Sequence, residues 1–523
     1  MKLAPIESPV SKRRWLVWAA LGLAFVLTLL ETRQRSERVE AMTNLNSEFE
    51  YDQQVDSTAT SGYRGGVRFA IPSDRSDDLH WILNTQLAAE RDELRLRSVD
   101  YDNAPLGREV HWSSVYSIWI RSLAMLDRTV RGGDEPRSIE RAALYANLLL
   151  VGLGFAGLTL VVSRGWGVAS GVGVSLCFLS LLPFRDVFAY GMGDHHAAAI
   201  LFALLCVAFF CIALGRAQVA GAAKRLLMGS ALFGALGMWV NVVSQIPVLV
   251  GIHLGGLALT LLLAQPERAK LAAGWRLWAR AGCLFSLLAY LFEYAPNDFD
   301  MRLEVNHPLY ALAWLGGGEL VGALLERKGS RSVMTWRVGL SLVAILQLPV
   351  TLLLARGLVF QIADPFLLAL HDRYIMEFQS LWRNLAALPS PLRSAAMLLP
   401  FAVLGVAAYR IFNDVRHRLA DPGLIVAFAA ALVLTALTVY QARWWAQSSA
   451  LLIPVFANCL ARRSKGERGV LFASLVPGLL FAATLAFVPQ PISRKESLRA
   501  VERGVAHLLC LRSGEGGFVA LAS

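Results

Sequence analysis

The sequence is built from apolar blocks of about twenty residues, the length of helix that crosses the hydrocarbon core of a bilayer. HHAAAILFALLCVAFFCIAL (195–214) and GLIVAFAAALVLTALTVYQA (423–442) are examples. Lipid offers no hydrogen bonds, so each block must close its backbone bonds internally as a helix. About thirteen blocks follow one another, at 14–31, 140–163, 165–184, 195–214, 225–242, 244–264, 272–292, 308–325, 337–356, 394–412, 423–442, 444–461 and 468–488. The junction at Asn241 to Gln245, where two blocks meet, is the least marked. A composition of 55% hydrophobic and only 17% charged residues excludes an ordinary soluble protein of 523 residues. The expected fold is an all-α polytopic membrane bundle of about thirteen transmembrane helices with a large first external loop.

The net charge of +11 does not point to nucleic acid, because the basic residues sit in short loops between apolar blocks. With the N-terminus inside, the inner loops include SRGW, GRAQVAGAAKR, QPERAKLAAGWRLWAR, ERKGSRSVMTWR, RIFNDVRHR and ARRSKGER, all basic. This alternation predicts an odd number of spans and an external C-terminus. Lys12, Arg13 and Arg14 precede the apolar run Trp15 to Leu30, and ETRQRSERVE follows without a small-residue cleavage site, which predicts a retained signal anchor. The expected organisation is an anchor and first span over 1–31, an external loop over 32–139, a multi-span bundle over 140–488 and a short external tail over 489–523. Within the first loop EVHWSSVYSIWIRSLAMLDRTV is amphipathic and aromatic, as a helix lying in the membrane interface would be. The six cysteines, apart from Cys510, lie in or beside apolar blocks and read as packing residues rather than a disulfide framework.

Five external segments carry titratable groups. RDVFAYGMGDHH places Asp194, His195 and His196 at the mouth of the fourth block. Carboxylate plus imidazole suits a divalent cation such as Mg²⁺ or Mn²⁺. An aspartate before a helix is equally suited to capping it. SDDLHW brings Asp77 and Asp78 next to His80 in the first loop, as solvated loop groups or as a further ligand set. HDRYIMEFQS sets Glu377 between apolar Ile375 and Phe378, as an interfacial or a site carboxylate. YQARWWAQS puts Arg443, flanked by Gln441, Trp444 and Trp445, in a short external turn. A guanidinium fork there matches phosphate geometry, although tryptophan at an interface is ordinary. Finally, EYAPNDFDMRLEVNHPLY offers Glu304, Asn306 and His307 either as pocket residues or as a helix start before Pro308.

The order and sidedness of these segments resemble type C membrane glycosyltransferases, and most closely the catalytic subunit of the archaeal and bacterial single-subunit oligosaccharyltransferases. Arg185, Gly191, Asp194 and His196 match the family's Arg…Gly-x-x-Asp-x-His/Glu pattern. YIMEFQS resembles the Ser/Thr-x-x-Glu element followed by x-Gln-Pro, with Glu377 and Gln379 in place, Tyr374 for Ser/Thr and Ser380 for Pro. QARW resembles the arginine element for the lipid-linked phosphate, and SDDLHW the first acidic motif, with Asp77 ahead of Asp78. The resemblance implies that Asp77, Asp194, His196 and Glu377 surround one Mg²⁺ or Mn²⁺ ion. It implies that Arg443, with Arg185, Gln441 and Trp444, faces the phosphate, and that the anomeric centre inverts. Asp77 would orient or deprotonate the acceptor. His195 is the odd one out, a helix-start or outer residue. The family's large external domain with a Trp-Trp-Asp-Tyr-Gly-like motif has no counterpart within these 523 residues.

The expected activity is therefore transfer of a sugar or oligosaccharide from a polyprenyl-linked donor among membrane lipids to an unspecified acceptor. The expected setting is the bacterial inner membrane, with the site facing the periplasm. The alternatives are a flippase for lipid-linked glycans and an inactive accessory relative. Transporters place charges at the bilayer midplane on broken or repeated helices, a pattern not visible here.

Overall fold

A computed structural model of the chain describes residues 2–3, 14–47, 77–100, 106–215, 220–296, 299, 301–326, 331–354, 369, 373, 375–386, 391–417, 419–461 and 465–488. Its helices are α1 (Trp15–Ser47), α2 (Asp77–Glu90), α3 (Val115–Arg131), α4 (Glu135–Trp166), α5 (Val168–Ser180), α6 (Leu182–Asp186), α7 (His196–Gly215), α8 (Ala220–Val240) and α9 (Val242–Leu262). They continue as α10 (Gln265–Tyr294), α11 (Pro308–Glu326), α12 (Arg331–Leu354), α13 (Leu381–Ala386), α14 (Pro391–Arg416), α15 (Pro422–Tyr440), α16 (Trp445–Ala461), α17 (Lys465–Ala473) and α18 (Val476–Phe487). Two short ribbons accompany them. β1 (Lys2–Leu3) pairs in parallel with β4 (Leu419–Ala420), and β2 (Ser98–Val99) pairs antiparallel with β3 (Arg108–Glu109).

Every expected apolar block coincides with a described helix. The block at 165–184 is broken at Leu181 into α5 and α6, and the last block is broken at Ser474 and Leu475 into α17 and α18. The junction at 241–245 is a true helix boundary, because Asn241 caps α9 by accepting the Ser244 N–H at 3.0 Å. Six of the described helices are both long and apolar enough to cross a bilayer: the first part of α1, then α4, α7, α9, α11 and α15. The chain is an integral membrane protein of the all-α class.

The chain divides into two compact units. The first comprises 1–24, 153–186 and 196–482. Its centre is α7 and α16, whose side chains are buried almost throughout. Close helix approach here depends on small residues, as it must where lipid is as apolar as leucine. Gly251 and Gly255 are spaced as Gly-x-x-x-Gly on α9 and lie against Ala430 and Val426 of α15. A Cβ added at either would stand 2.4 Å or 2.7 Å from a backbone Cα. The second unit comprises 25–152, 187–195 and 483–523. In it α3 buries Tyr116, Ile120 and Ala124 on one stripe and leaves Met125, Leu126 and Val130 exposed. The Arg141 guanidinium closes the α3–α4 corner with two bonds to one Asp127 carboxylate oxygen, at 2.6 Å and 2.9 Å.

A Gly251→Leu substitution should force α9 and α15 apart and destabilise the fold by about 1–3 kcal/mol, the usual cost of overpacking. Thermal unfolding in detergent measures it, and Gly22→Leu, which meets nothing within 4 Å, is the control with little expected loss.

Candidate functional site

The segment 187–195 is short, non-helical over most of its length and almost wholly buried, so its backbone needs partners from its neighbours. α4 provides them. The Leu144 carbonyl accepts the Gly191 N–H at 3.0 Å. Asn147, 1% exposed, donates from its side-chain amide to the Met192 carbonyl at 2.6 Å, the Asp194 carbonyl at 2.9 Å and the Val187 carbonyl at 3.4 Å. Its Oδ1 accepts the Tyr116 hydroxyl at 2.7 Å, tying the amide to α3. Gly191 has φ of +86°, a left-handed conformation that glycine alone adopts without strain, and this turns the chain between Tyr190 and Met192. Burial and the neighbouring Tyr145 phenol push the Tyr190 hydroxyl well above its ordinary range, so it stays neutral.

This scaffold presents Asp194 and His195, each 3% exposed. Asp194 Oδ1 lies 2.7 Å from His195 Nδ1, and the Trp81 indole N–H lies 3.1 Å from the same nitrogen. An imidazole nitrogen carries either a lone pair or a proton. Nδ1 therefore accepts from Trp81 in one tautomer and donates to the Asp194 carboxylate in the other. An aromatic cluster fixes the imidazole. Trp81 stacks on Trp112 at 5.4 Å and meets Tyr116 edge-on at 5.1 Å, while His80 and His111 border Trp112. His196, half-buried, is the first residue of α7. Asp194, His195 and His196 each offer one ligand atom, and these atoms lie within 4.8 Å of one another. One carboxylate and two imidazoles fit a divalent ion of intermediate softness, Mn²⁺ or Zn²⁺ more readily than Mg²⁺.

The first unit carries the second arrangement. The single turns Met376–Phe378 and Ala442–Trp444 are joined by the Ala442 N–H donating to the Gln379 carbonyl at 2.9 Å. Gln379 is buried, and its amide donates to the Arg373 carbonyl at 2.9 Å. This joins the Glu377 and Arg443 motifs, which are 66 positions apart in the numbering of the sequence. The Arg443 guanidinium lies over the rings of Phe378, at 5.0 Å, and Trp444, at 5.6 Å. Among the described residues it has no hydrogen bond or ion pair, so its donor edge is available to an anion.

The remaining expected residues fall elsewhere. Asp77 and Asp78 are the first residues of α2, with side chains outside the described residues, and Tyr374 also lies outside them. His80 borders the aromatic cluster. Arg185 is buried at the end of α6. Gln441 ends α15 with its N–H on the Leu437 carbonyl. Asn306 is engaged structurally, exchanging two hydrogen bonds with Ser286 at 2.9 Å and 3.0 Å. His307 accepts the Leu309 N–H at 3.3 Å as α11 begins, and burial lowers its pKa. Glu304 precedes that helix start. The sequence reading missed Asn147 and the Trp81–Trp112 pair. A lone asparagine in an otherwise apolar block was the one available signal for Asn147.

Among the solved structures that share this fold are three of the oligosaccharyltransferase from Archaeoglobus fulgidus. One, tethered to an acceptor peptide containing the NVT sequon, aligns at TM-score 0.57 and 13% identity over 98% of this chain and 61% of that one. Another, in complex with an inhibitory peptide and a dolichol-phosphate, gives 0.58 and 14% over 93% and 61%. The third, with Zn and sulfate, gives 0.52 and 13% over 89% and 52%. The chain thus spans about three fifths of the length of the first of these proteins. No protein-family model and no curated protein matches the sequence. The chain has the fold of a type C oligosaccharyltransferase membrane module.

Tyr116→Phe should lower stability by about 1 kcal/mol, and Asn147→Leu, which strands buried carbonyls, by about 2–3 kcal/mol. Hydrogen exchange is the sensitive readout: both variants should lose protection across 187–195 before the rest of the chain, Asn147→Leu the more.

Proposed function

We propose that the chain is a membrane glycosyltransferase of oligosaccharyltransferase type. It moves a sugar or oligosaccharide from a polyprenyl-phosphate or polyprenyl-diphosphate carrier to an acceptor at the external face of a bacterial inner membrane, with inversion at the anomeric carbon. One observation carries this reading: Asp194, His195 and His196 converge within 4.8 Å at the head of a membrane helix, in a fold shared with an archaeal oligosaccharyltransferase. The neighbours' bound groups support it. Zn and sulfate, a dolichol-phosphate and an acceptor peptide are a metal, a lipid-linked phosphate and a nucleophile's carrier.

On this reading Asp194, His196 and His195, together with Asp77 and Glu377, would hold a divalent cation, Mn²⁺ or Mg²⁺. When bound, that cation supplies positive charge against the departing phosphate. Arg443 donates its planar fork to phosphate oxygens, with Phe378 and Trp444 keeping the guanidinium flat and oriented. Asp77, or its neighbour Asp78, accepts the proton of the acceptor group as that group attacks. The new bond forms at the anomeric carbon on the face opposite the carrier, the carbon–oxygen bond to phosphate breaks, and the carrier phosphate leaves with the electron pair. Trp81 and Asn147 hold the His195 ring and the Asp194 backbone, so that neither must reorganise when charge develops.

The test is turnover of a labelled polyprenyl-linked sugar by the purified protein. Chelation should abolish release of sugar from the carrier, and Mn²⁺ should restore it. Asp194→Ala should be inactive, and Arg443→Ala should lose about 10²–10³-fold in kcat, as for removal of a charge-stabilising donor. Unchanged turnover in chelator and in Asp194→Ala would overturn the reading. Binding is measured apart from activity. Electron paramagnetic resonance should show Mn²⁺ affinity falling by about 10–100-fold in Trp81→Phe, the usual effect of losing a group that orients a ligand.

A further inference from the structure

Trp112 differs from the other tryptophans of the second unit in that its place is fixed while its polar edge is not engaged. Trp81 and Trp119 commit their indole N–H groups to His195 and to the Ala146 carbonyl. The Trp112 N–H has no hydrogen-bond partner among the described residues, and its ring is half-buried. The chain on either side is held. The Val110 N–H donates to the Arg97 carbonyl at 2.8 Å, and Val110 packs on the buried cluster of Ala88, Leu96 and Val99. Ser113 and Ser114 are buried, and the Ser114 carbonyl accepts the Ile118 N–H at 2.9 Å as α3 begins. Buried Trp81 stacks on the Trp112 ring at 5.4 Å with 24° between the planes. His80 meets that ring edge-on at 6.0 Å and His111 lies against it at 5.2 Å, and both imidazoles are half-buried.

We infer that Trp112, with His80 and His111, is a platform for a neutral pyranose ring, and that this ring belongs to the acceptor. A pyranose presents a flat C–H face with hydroxyls around its rim. An indole whose plane is set by a second indole offers a flat apolar surface with one N–H donor at its edge. A neutral imidazole brings one further donor and one acceptor to that rim. None of the three side chains is a carboxylate or a guanidinium, so the recognition is of hydroxyls rather than of charge.

Position assigns the ring to the acceptor, and this step rests on the transferase reading. α2 starts at Asp77. Residues three and four apart share a helix face, so Asp77 occupies the position one turn ahead of His80 and Trp81. Asp77 or Asp78 is the group that takes the acceptor's proton in that reading. A sugar on Trp112 therefore lies against the turn of α2 that follows the base. The same Trp112 ring lies 5.9 Å from that of His195, whose Nδ1 is 2.7 Å from Asp194. The platform thus connects the acid-bearing end of α2 to the Asp194–His195 pair, and one hydroxyl of the bound ring is the nucleophile. Its oxygen bonds the anomeric carbon of the donor and its proton passes to the carboxylate. The carbon–oxygen bond to the carrier breaks, and its electron pair leaves on the phosphate.

The first arm of the experiment is saturation-transfer NMR on the full-length protein in a detergent without a sugar head group, with chelator and no lipid-linked donor. The probes are cellobiose, lactose, chitobiose and a capped tri-alanine peptide. Irradiating the aromatic protons should saturate the ring C–H protons of at least one disaccharide, and those of the peptide more weakly. Trp112→Phe keeps a ring and loses the N–H, and should weaken that disaccharide about fivefold, as for one neutral hydrogen bond. Trp112→Ala should abolish the transfer. Retained hydrogen-exchange protection of 187–195 confirms that each variant is folded. Absence of transfer to all three disaccharides, equal transfer to the peptide, or undiminished transfer in Trp112→Ala would overturn the platform. The second arm is turnover of a labelled polyprenyl-linked sugar with Mn²⁺ in the presence of the bound disaccharide. Label should pass to the disaccharide, and Trp112→Phe should raise KM for the disaccharide about fivefold while leaving KM for the donor unchanged. A raised KM for the donor instead would put the donor's own sugar on Trp112 and overturn the acceptor assignment. Since the first arm contains neither metal nor donor, a chain that binds the disaccharide and never turns over sinks the transferase reading, and the acceptor role with it, while the platform stands.

Discussion

The side-chain amide of Asn147 is the interaction on which the rest of the candidate site depends. A membrane helix has no spare backbone donors, because every N–H past the first turn is spent within the helix. A buried loop packed against such a helix must find donors on side chains. Asn147 supplies them to the carbonyls that flank Asp194, and Tyr116 holds the amide in the orientation that makes this possible. The loop is thereby fixed at both its turn and its exit, and the carboxylate of Asp194 meets the imidazole of His195 by consequence of backbone placement rather than by side-chain choice.

A second constraint shapes the arginine. Arg443 keeps its guanidinium half-buried without an acidic partner among the described residues, and two aromatic faces do the holding. A cation on aromatic rings is oriented but not neutralised, since the ring quadrupole attracts charge without accepting the N–H edge. An arginine held by a carboxylate would have its fork filled. Arg91, by contrast, is held by Asp100 and the Ser98 carbonyl and braces the fold.

The acidic motif at the head of α7 was legible in the sequence because three titratable groups before twenty apolar residues are costly unless used. Its company was not. Trp81 lies 114 positions from His195, and Asn147 lies 47 from Asp194. No spacing rule connects residues so far apart. His195 read as the outer member of its triplet, because alternate residues seemed the natural pair across a turn. The backbone at 191–195 is instead a glycine-led turn with its carbonyls pinned to α4, and such a turn can bring adjacent side chains together. Glu304 and His307 read as candidates by composition alone. The structure engages their neighbours in starting α11, where Asn306 and Ser286 satisfy each other.

What the sequence determined by itself was the class of fold. Blocks of apolar residues in a low-charge chain leave the backbone one way to satisfy its hydrogen bonds, and each expected block is a helix. The sequence also located the acidic and basic motifs, because charge near a membrane boundary is conspicuous. Tertiary structure decided which of those groups meet. The Glu377 and Arg443 turns are joined by a single backbone hydrogen bond between Ala442 and Gln379. The Asp194–His195 pair is enclosed by aromatic residues from α2 and the segment before α3. Those meetings depend on helix packing through glycine faces and on one buried amide, and such long-range contacts have no period that a linear sequence displays.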